Sequence, residues 1–110
     1  MALPAYSTRF FDIVEGDTGL LSATVPDGYI WDVRDVELEA IGQAGLYPSF
    51  DVVVYGAAGG VIFSLRSPLW VTGEHYHWDG RAVLNPGEDL LVSIGEPYVA
   101  GVITGYQLTQ

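Results

Sequence analysis

Hydrophobic and polar positions alternate with a period of two along most of this chain. Leu90, Val92 and Ile94 share one parity, and Asp89 and Ser93 share the other. Successive strand residues point to opposite faces of a sheet, so this period predicts strands with one buried side. Nowhere do apolar residues keep a helical spacing over three turns. We therefore expect an all-β fold with about eight strands and at most one helical turn, an antiparallel β-sandwich of jelly-roll type.

The clearest local pattern is a turn between two β-prone runs. Residues 81–84 form the first run, and the run that begins at Asp89 is the second. Between them, Pro86 suits the second position of a β-turn, and Gly87 suits a third position that needs positive φ. We predict a strand, a turn and a strand, paired as a hairpin around Pro86.

The longest β-like segment, residues 29–41, changes the parity of its apolar positions partway along. The apolar positions before the change are Tyr29, Trp31 and Val33, and those after it are Val36, Leu38 and Ala40. A regular strand cannot bury both sets, so we predict a β-bulge or a sharp bend near Arg34 and Asp35. Because adjacent strand residues face opposite ways, these two charged residues should have different partners.

Other segments add to the β-rich pattern. Residues 50–55 are apolar on both parities, which indicates an interior strand covered on both faces or a face buried against another subunit. After a glycine-rich hairpin tip at residues 56–60, we expect Val61, Phe63 and Leu65 to line the inner face of a strand. Glycines 101 and 105, within the last β-like segment, indicate bulges or the close approach of a neighbouring strand.

Length and charge limit what the protein can do. Its 110 residues are enough for one domain, residues 1–110, and the absence of cysteine excludes disulfides and thiolate metal sites. Fourteen acidic residues stand against four arginines, and there is no lysine, for a net charge of -10. This balance argues against nucleic-acid binding through phosphates, and no apolar run is long enough to span a membrane. The scattered carboxylates indicate a solvated surface or, alternatively, an acidic docking patch for a basic partner.

Two groups of residues could carry chemistry. His75 and His77 lie two apart on a predicted strand, so both would project from one face and could hold a metal ion. The chain has no third histidine and no glutamate at Arg81 or Ala82, where a cupin motif would place one. We therefore expect neither a metal nor a cofactor, and regard the pair as half-exposed strand histidines.

Aromatic residues raise a second possibility. Trp70, Tyr76 and Trp78 could form a platform for stacking on a sugar, or they could be packing material for the core or an interface. No Gly-x-Ser-x-Gly elbow and no cysteine nucleophile are present. The expected function is therefore not enzymatic.

Three segments resemble small structural proteins of tailed bacteriophages. They are Val-Pro-Asp-Gly-Tyr-Ile-Trp-Asp-Val-Arg-Asp-Val at 25–36, Trp-Asp-Gly-Arg-Ala-Val-Leu-Asn-Pro-Gly-Glu-Asp-Leu at 78–90, and Thr-Gly-Tyr-Gln-Leu-Thr at 104–109. The resemblance implies a virion component made in the host cytoplasm, either a capsid decoration protein or a small neck or tail protein. Its partners would be major capsid or tail proteins and further copies of the same chain. No catalytic residues come with the resemblance.

A surface for such contacts can be named from the sequence. Residues 1–5 form either an extended arm that lies on a neighbour or a frayed terminus. The candidate interface residues are Leu3, Tyr6, Phe50, Val53, Tyr55, Trp70, Tyr76 and Trp78. The alternative function is that of a carbohydrate-binding β-sandwich module that uses exposed tryptophan and tyrosine.

Overall fold

A computed structural model describes residues 6–14, 16–41, 50–56, 60–67, 73–95 and 98–110. Those residues contain eight strands and no helix. The strands are β1 (Tyr6–Ile13), β2 (Gly19–Thr24), β3 (Tyr29–Ala40), β4 (Phe50–Tyr55), β5 (Val61–Ser67), β6 (His75–Leu84), β7 (Asp89–Ile94) and β8 (Val99–Thr109).

The strands form two antiparallel four-stranded sheets. Sheet A has the order β1-β8-β3-β6, and sheet B has the order β2-β7-β4-β5. Early strands thus pair with late ones: β1 with β8, β2 with β7, β3 with β6, and β4 with β5. A double-stranded ribbon of this kind, rolled into two facing sheets, is a jelly roll. The predicted fold class is confirmed.

The two inner faces enclose one hydrophobic core. Its buried members are Ile13, Val25, Trp31, Val33, Val36, Leu38, Ala40, Val52, Val54, Leu84, Leu90, Val92, Ile94, Val99 and Ile103. The indole nitrogen of Trp31 donates a hydrogen bond to Oε1 of Gln107 at 2.9 Å, so its polar atom is satisfied within the sandwich. The alternation predicted for β7 is confirmed.

The predicted bulge in β3 is also confirmed. Arg34 is an extra residue between Val33 and Asp35 relative to β8, where Asp35 pairs with Thr104. A second bulge lies in β1, between Arg9 and Phe11, and it faces the same position of β8. Bulges bend a strand and increase its twist, so sheet A bends where these two bulges lie.

The hairpin predicted around Pro86 is wrong, although its turn is correct. Gly87 has a φ of 84°, and the Glu88 N–H donates to the Asn85 carbonyl at 3.0 Å. However, β6 pairs with β3 in sheet A, whereas β7 pairs with β2 and β4 in sheet B. The turn is therefore an arch between the sheets. The same turn residues suit an arch and a hairpin. The arch is favoured only by the burial of both flanking strands in one core.

The inward orientation predicted for Val61 is wrong as well. Phe63 pairs with Val54 and Val61 with Tyr55, so Ile62 is an extra residue in β5. This bulge reverses the parity, and Val61 is 62% exposed, while Phe63 and Leu65 pack against the core as expected.

The two glycines of β8 confirm the predicted close approach of a neighbouring strand. A β-carbon added to Gly101 would lie 2.0 Å from the carbonyl oxygen of Glu37 in β3. One added to Gly105 would lie 2.0 Å from the carbonyl oxygen of Asp32. Both clashes involve backbone, so they can be relieved only by separating the two central strands of sheet A.

We predict that Gly101→Ala lowers the free energy of unfolding by about 3 kcal/mol, because the added methyl group forces β8 away from β3. Urea denaturation followed by tryptophan fluorescence measures this change. Gly60→Ala is the matched control, because nothing lies within 4 Å of its added β-carbon. Equal denaturation midpoints for the two variants would contradict the close approach.

Candidate functional site

The outer surfaces of the two sheets differ in charge. The outer side of sheet B, here called the neutral face, carries apolar and hydroxyl side chains in register across β2, β7, β4 and β5. One row is Leu20, Ser93, Val53 and Ser64, and the next is Ser22, Leu91, Tyr55 and Val61. Among the described side chains of this face, Asp89 is the only charged one, and it accepts a 2.5 Å hydrogen bond from the Thr24 hydroxyl.

The outer side of sheet A, here called the charged face, has an acidic end formed by β3 and β6. Its members are Asp35, Glu37, Glu39, His75, His77 and Asp79. The register places Glu37 opposite His77 and Glu39 opposite His75. Nε2 of His77 is bonded to Oδ1 of Asp35, and Nε2 of His75 lies 3.8 Å from Oε1 of Glu39. The hydrogen bond that His77 donates to Asp35 raises the pKa of His77. Burial opposes this increase less strongly, and the negative charges of Asp35, Glu37 and Asp79 add smaller increases.

The other end of the charged face, the arginine end, is built on a buried carboxylate. The side chain of Asp32 is 9% exposed, and its Oδ2 lies 3.4 Å from Nε of Arg81 and 3.7 Å from Nη1 of Arg34. Its Oδ1 has no hydrogen-bond donor among the described residues. Nε of Arg34 donates to the carbonyl of Gly80 at 2.9 Å. Two guanidinium groups on one carboxylate leave this end with a local charge of about +1.

Arg34 and Asp35 have different partners, as predicted. Arg34 contacts Gly80 and Asp32, whereas Asp35 contacts His77. The bulge explains this arrangement, because the extra residue places the two side chains over different rows of β6. Arg34 therefore belongs to the arginine end of the charged face, and Asp35 belongs to its acidic end.

A groove of about 460 Å³ runs between the edge strands β5 and β6. Trp78, Arg81 and Glu88 are among its lining residues. The indole of Trp78 lies over Gly80, since a β-carbon added there would be 2.5 Å from Cζ2 of the ring. The groove therefore presents an aromatic ring beside a cation and a carboxylate.

Tyr76 shares the inner face of β6 with Trp78, and both pack against the core. The Tyr76 hydroxyl donates to Glu74. Burial, together with the hydrogen bond and negative charge of Glu74, raises the pKa of Tyr76 to about 12. The phenol is therefore a hydrogen-bond donor at any physiological pH.

The predicted interface residues fall in several places. Val53 and Tyr55 lie on the neutral face, while Tyr76 and Trp78 lie on the inner face of β6. The backbone of Tyr6 in β1 pairs with Gln107 of β8, and the backbone of Phe50 in β4 pairs with Ser67 of β5. Leu3 and Trp70 lie outside the described residues, as do residues 1–5. Their role in an interface stays a prediction.

Sequence reasoning missed several residues that matter here. Leu20 and Leu91 were not singled out as surface residues, and Asp32 was not expected to be buried. Leu20 in β2 and Leu91 in β7 stand at alternating positions that otherwise carry polar residues. This departure was the available signal for the neutral face. No sequence signal marks Asp32, because its burial depends on arginines from positions 34 and 81.

His75 and His77 do project from the same face, as predicted, and both are exposed. Within the described ranges, no three histidine, aspartate or glutamate side chains converge closely enough to hold a metal ion. The same ranges contain no helix that is long and apolar enough to cross a bilayer.

No protein-family model matches the chain, and no curated protein matches it in sequence. Solved structures do match. The Drosophila NLP core, studied for pentamer formation and histone binding, aligns with a TM-score of 0.52 and 13% identity over 94% of this chain and 96% of its own. The likeness is one of fold.

Two further structures align less well. A protein of the T13 IBDV viral particle gives a TM-score of 0.46 and 10% identity over 99% of this chain, and the Podospora anserina GH26-CBM35 β-(1,4)-mannanase gives 0.43 and 13% over 98%. The chain spans only 31% and 27% of the length of these two proteins.

We predict that His77 stabilises the fold more in mildly acidic buffer than in alkaline buffer. Its pKa is raised in the folded state. Its stabilising contribution is therefore fully present below the unfolded pKa of about 6.5 and is lost as the pH rises through the folded value. Thermal unfolding of the native protein and His77→Gln across this range measures the effect. The difference in melting temperature should shrink as the pH rises.

His75→Gln is the control for removing an imidazole from the same face of β6. A difference between the native protein and His77→Gln that stays constant, or widens towards alkaline pH, would contradict the bond between His77 and Asp35.

Proposed function

We propose that this chain is a non-enzymatic structural protein of a tailed-bacteriophage virion, either a capsid decoration protein or a small neck or tail component. Its partners are a major capsid or tail protein and further copies of itself. The protein is made in the host cytoplasm and resides in the virion. The proposal assigns no catalytic residue, cofactor or metal ion, and protein contacts are the whole of the function.

The neutral face is the observation that carries this proposal. Leu20 and Val61 stand at its two edges and are 61% and 62% exposed, with Leu91 and Tyr55 between them. Exposed and half-exposed apolar residues that extend across a whole sheet mark protein-binding surfaces more often than scattered ones do. The intervening serines can form hydrogen bonds with a partner at little desolvation cost.

The remaining features support the same function. The three segments that resemble phage structural proteins supply much of β3, β6 and β8, and the jelly roll is a fold that viral capsid proteins use. A net charge of -10 opposes non-specific association of the free protein before assembly. Charge therefore limits non-specific association, and the neutral face provides the specific contact.

We predict that the double substitution Leu20→Glu and Val61→Glu abolishes binding to the virion, because it places two charges in a contact that excludes water. Cosedimentation of the purified protein with capsids or tails that lack it measures binding, and at least a tenfold loss of affinity, about 1.4 kcal/mol, is expected. Val14→Glu is the control, because Val14 is 57% exposed but lies in the turn after β1. Binding that survives the double substitution would exclude the neutral face as the docking surface.

The groove between β5 and β6 supports a second candidate function, binding of a carbohydrate. Its volume of about 460 Å³ lies within the range of roughly 300–1,000 Å³ that is typical of ligand sites. Trp78 could stack on a sugar ring while Arg81 and Glu88 bind its hydroxyls. This function would replace virion docking as the main activity.

If the groove binds a sugar, a glycan array should give binding that Trp78→Ala removes and Trp78→Phe retains in part, because phenylalanine keeps an aromatic face. Circular dichroism of both variants checks that the fold survives. Absence of any bound glycan, or equal binding by Trp78→Ala and the native protein, would rule this function out.

A further inference from the structure

The charged face has opposite charges at its two ends, and we propose that it pairs with the same face of a second copy to form a two-fold dimer. In this dimer Arg81 of each copy enters the acidic end of the other. The inference rests on the self-association included in the proposed function, and it names the surface through which two copies meet. That surface lies on sheet A, and the virion-binding face lies on sheet B.

The acidic end contains a depression that suits an arginine side chain. It has a volume of about 180 Å³, and its lining includes Glu37, Glu39, His75, Ala100 and Val102. The side chains of Ala100 and Val102 form an apolar surface on which the methylene groups of an arginine can pack. Glu37 and Glu39 supply carboxylates for the guanidinium group, and charge-assisted hydrogen bonds of this kind are stronger than neutral ones.

The arginine end presents a suitable side chain. Arg81 is 67% exposed, and its Nε is directed at the buried carboxylate of Asp32. Among the described residues Arg81 has no other ion-pair partner, so its two terminal nitrogens are available to a partner molecule. Asp32 thus acts as a positioning residue, because it limits the motion of the guanidinium group before binding.

The placement of the two ends allows them to meet in pairs. Asp32 and Glu37 lie opposite Tyr106 and Val102, four residues apart on β8, a separation of roughly 13 Å. A two-fold axis that lies between the faces and runs across the strands midway between Arg81 and Glu37 exchanges the ends, so one contact is repeated twice. Between the ends, β8 presents the small neutral side chain of Thr104, which allows two sheets to approach.

A second copy fits this face better than an unrelated basic partner does. The face carries both the acidic depression and the arginine that fills it, and two of the four cationic residues of the chain stand at the arginine end. The net charge of -10 per copy opposes dimerisation at long range. The local pairing of Arg81 with Glu37 and Glu39 must therefore provide the attraction.

Charge reversal tests the pairing. The native protein should be a dimer in sedimentation equilibrium at neutral pH. Arg81→Glu and Glu37→Arg should each weaken it by about tenfold or more, because each places like charges in contact. An equimolar mixture of the two variants should recover the dimer, and so should the double variant with both substitutions in one chain. Recovery would show that these two positions meet across the interface.

Asp27→Arg is the control for Glu37→Arg, because it changes the net charge equally in an exposed turn outside the charged face. It should leave the dimer intact, as should the Leu20→Glu, Val61→Glu variant. A native protein that is monomeric up to its solubility limit would overturn the proposal. The proposal would be overturned equally if that monomer bound an arginine-rich peptide through Glu37. Failure of the mixture and of the double variant to recover a dimer would overturn it as well.

The proposed function has separate outcomes. A charge-reversed monomer that still cosediments with virions would leave the neutral face as the docking surface. Loss of virion binding by the Leu20→Glu, Val61→Glu variant, with an intact dimer, would show that the two faces act independently.

Discussion

The extra residue at Arg34 determines which side chains of β3 face the core. Before it, Trp31 and Val33 point inward, and after it Val36 and Leu38 do. Without the bulge one of these two sets would face solvent, at a cost of about 1.5–3 kcal/mol for each large apolar side chain. The same change of parity places Asp32 and Glu37 on the outer side of sheet A. The core and the charged face are therefore two results of one constraint.

The two outer faces of the sandwich set different requirements for a molecule that covers them. On the neutral face, the described serine and apolar side chains can be buried without leaving charges unpaired, and Asp89 is the one described charge there. On sheet A, each described carboxylate or cation that becomes buried needs a partner of opposite sign, because an unpaired buried charge is costly. A surface of the first kind tolerates partners of many shapes. A surface of the second kind selects a partner whose charges match in position.

Much of this fold follows from the sequence, because period-two alternation and its interruption are local properties. The strands, the bulge at Arg34 and the close approach at Gly101 could all be predicted in this way. The partner of each strand could not. The turn at Gly87 suits a hairpin and an arch equally well, and the bulge at Ile62 leaves no pattern that would indicate the outward orientation of Val61. The charged face was missed for a related reason, since Asp32 is covered by an arginine from another strand.

The position of β8 in the middle of sheet A has a consequence for biosynthesis. β8 lies between β1 and β3, so it has to enter a sheet beside two strands that were made much earlier. Until the ribosome has released residues 99–109, β1 and β3 lack the neighbour that joins them. Pairing over such sequence separations slows folding, and it exposes apolar strands in the meantime. Nascent copies are therefore open to mispairing with one another, and the excess of negative charge would oppose this by repulsion.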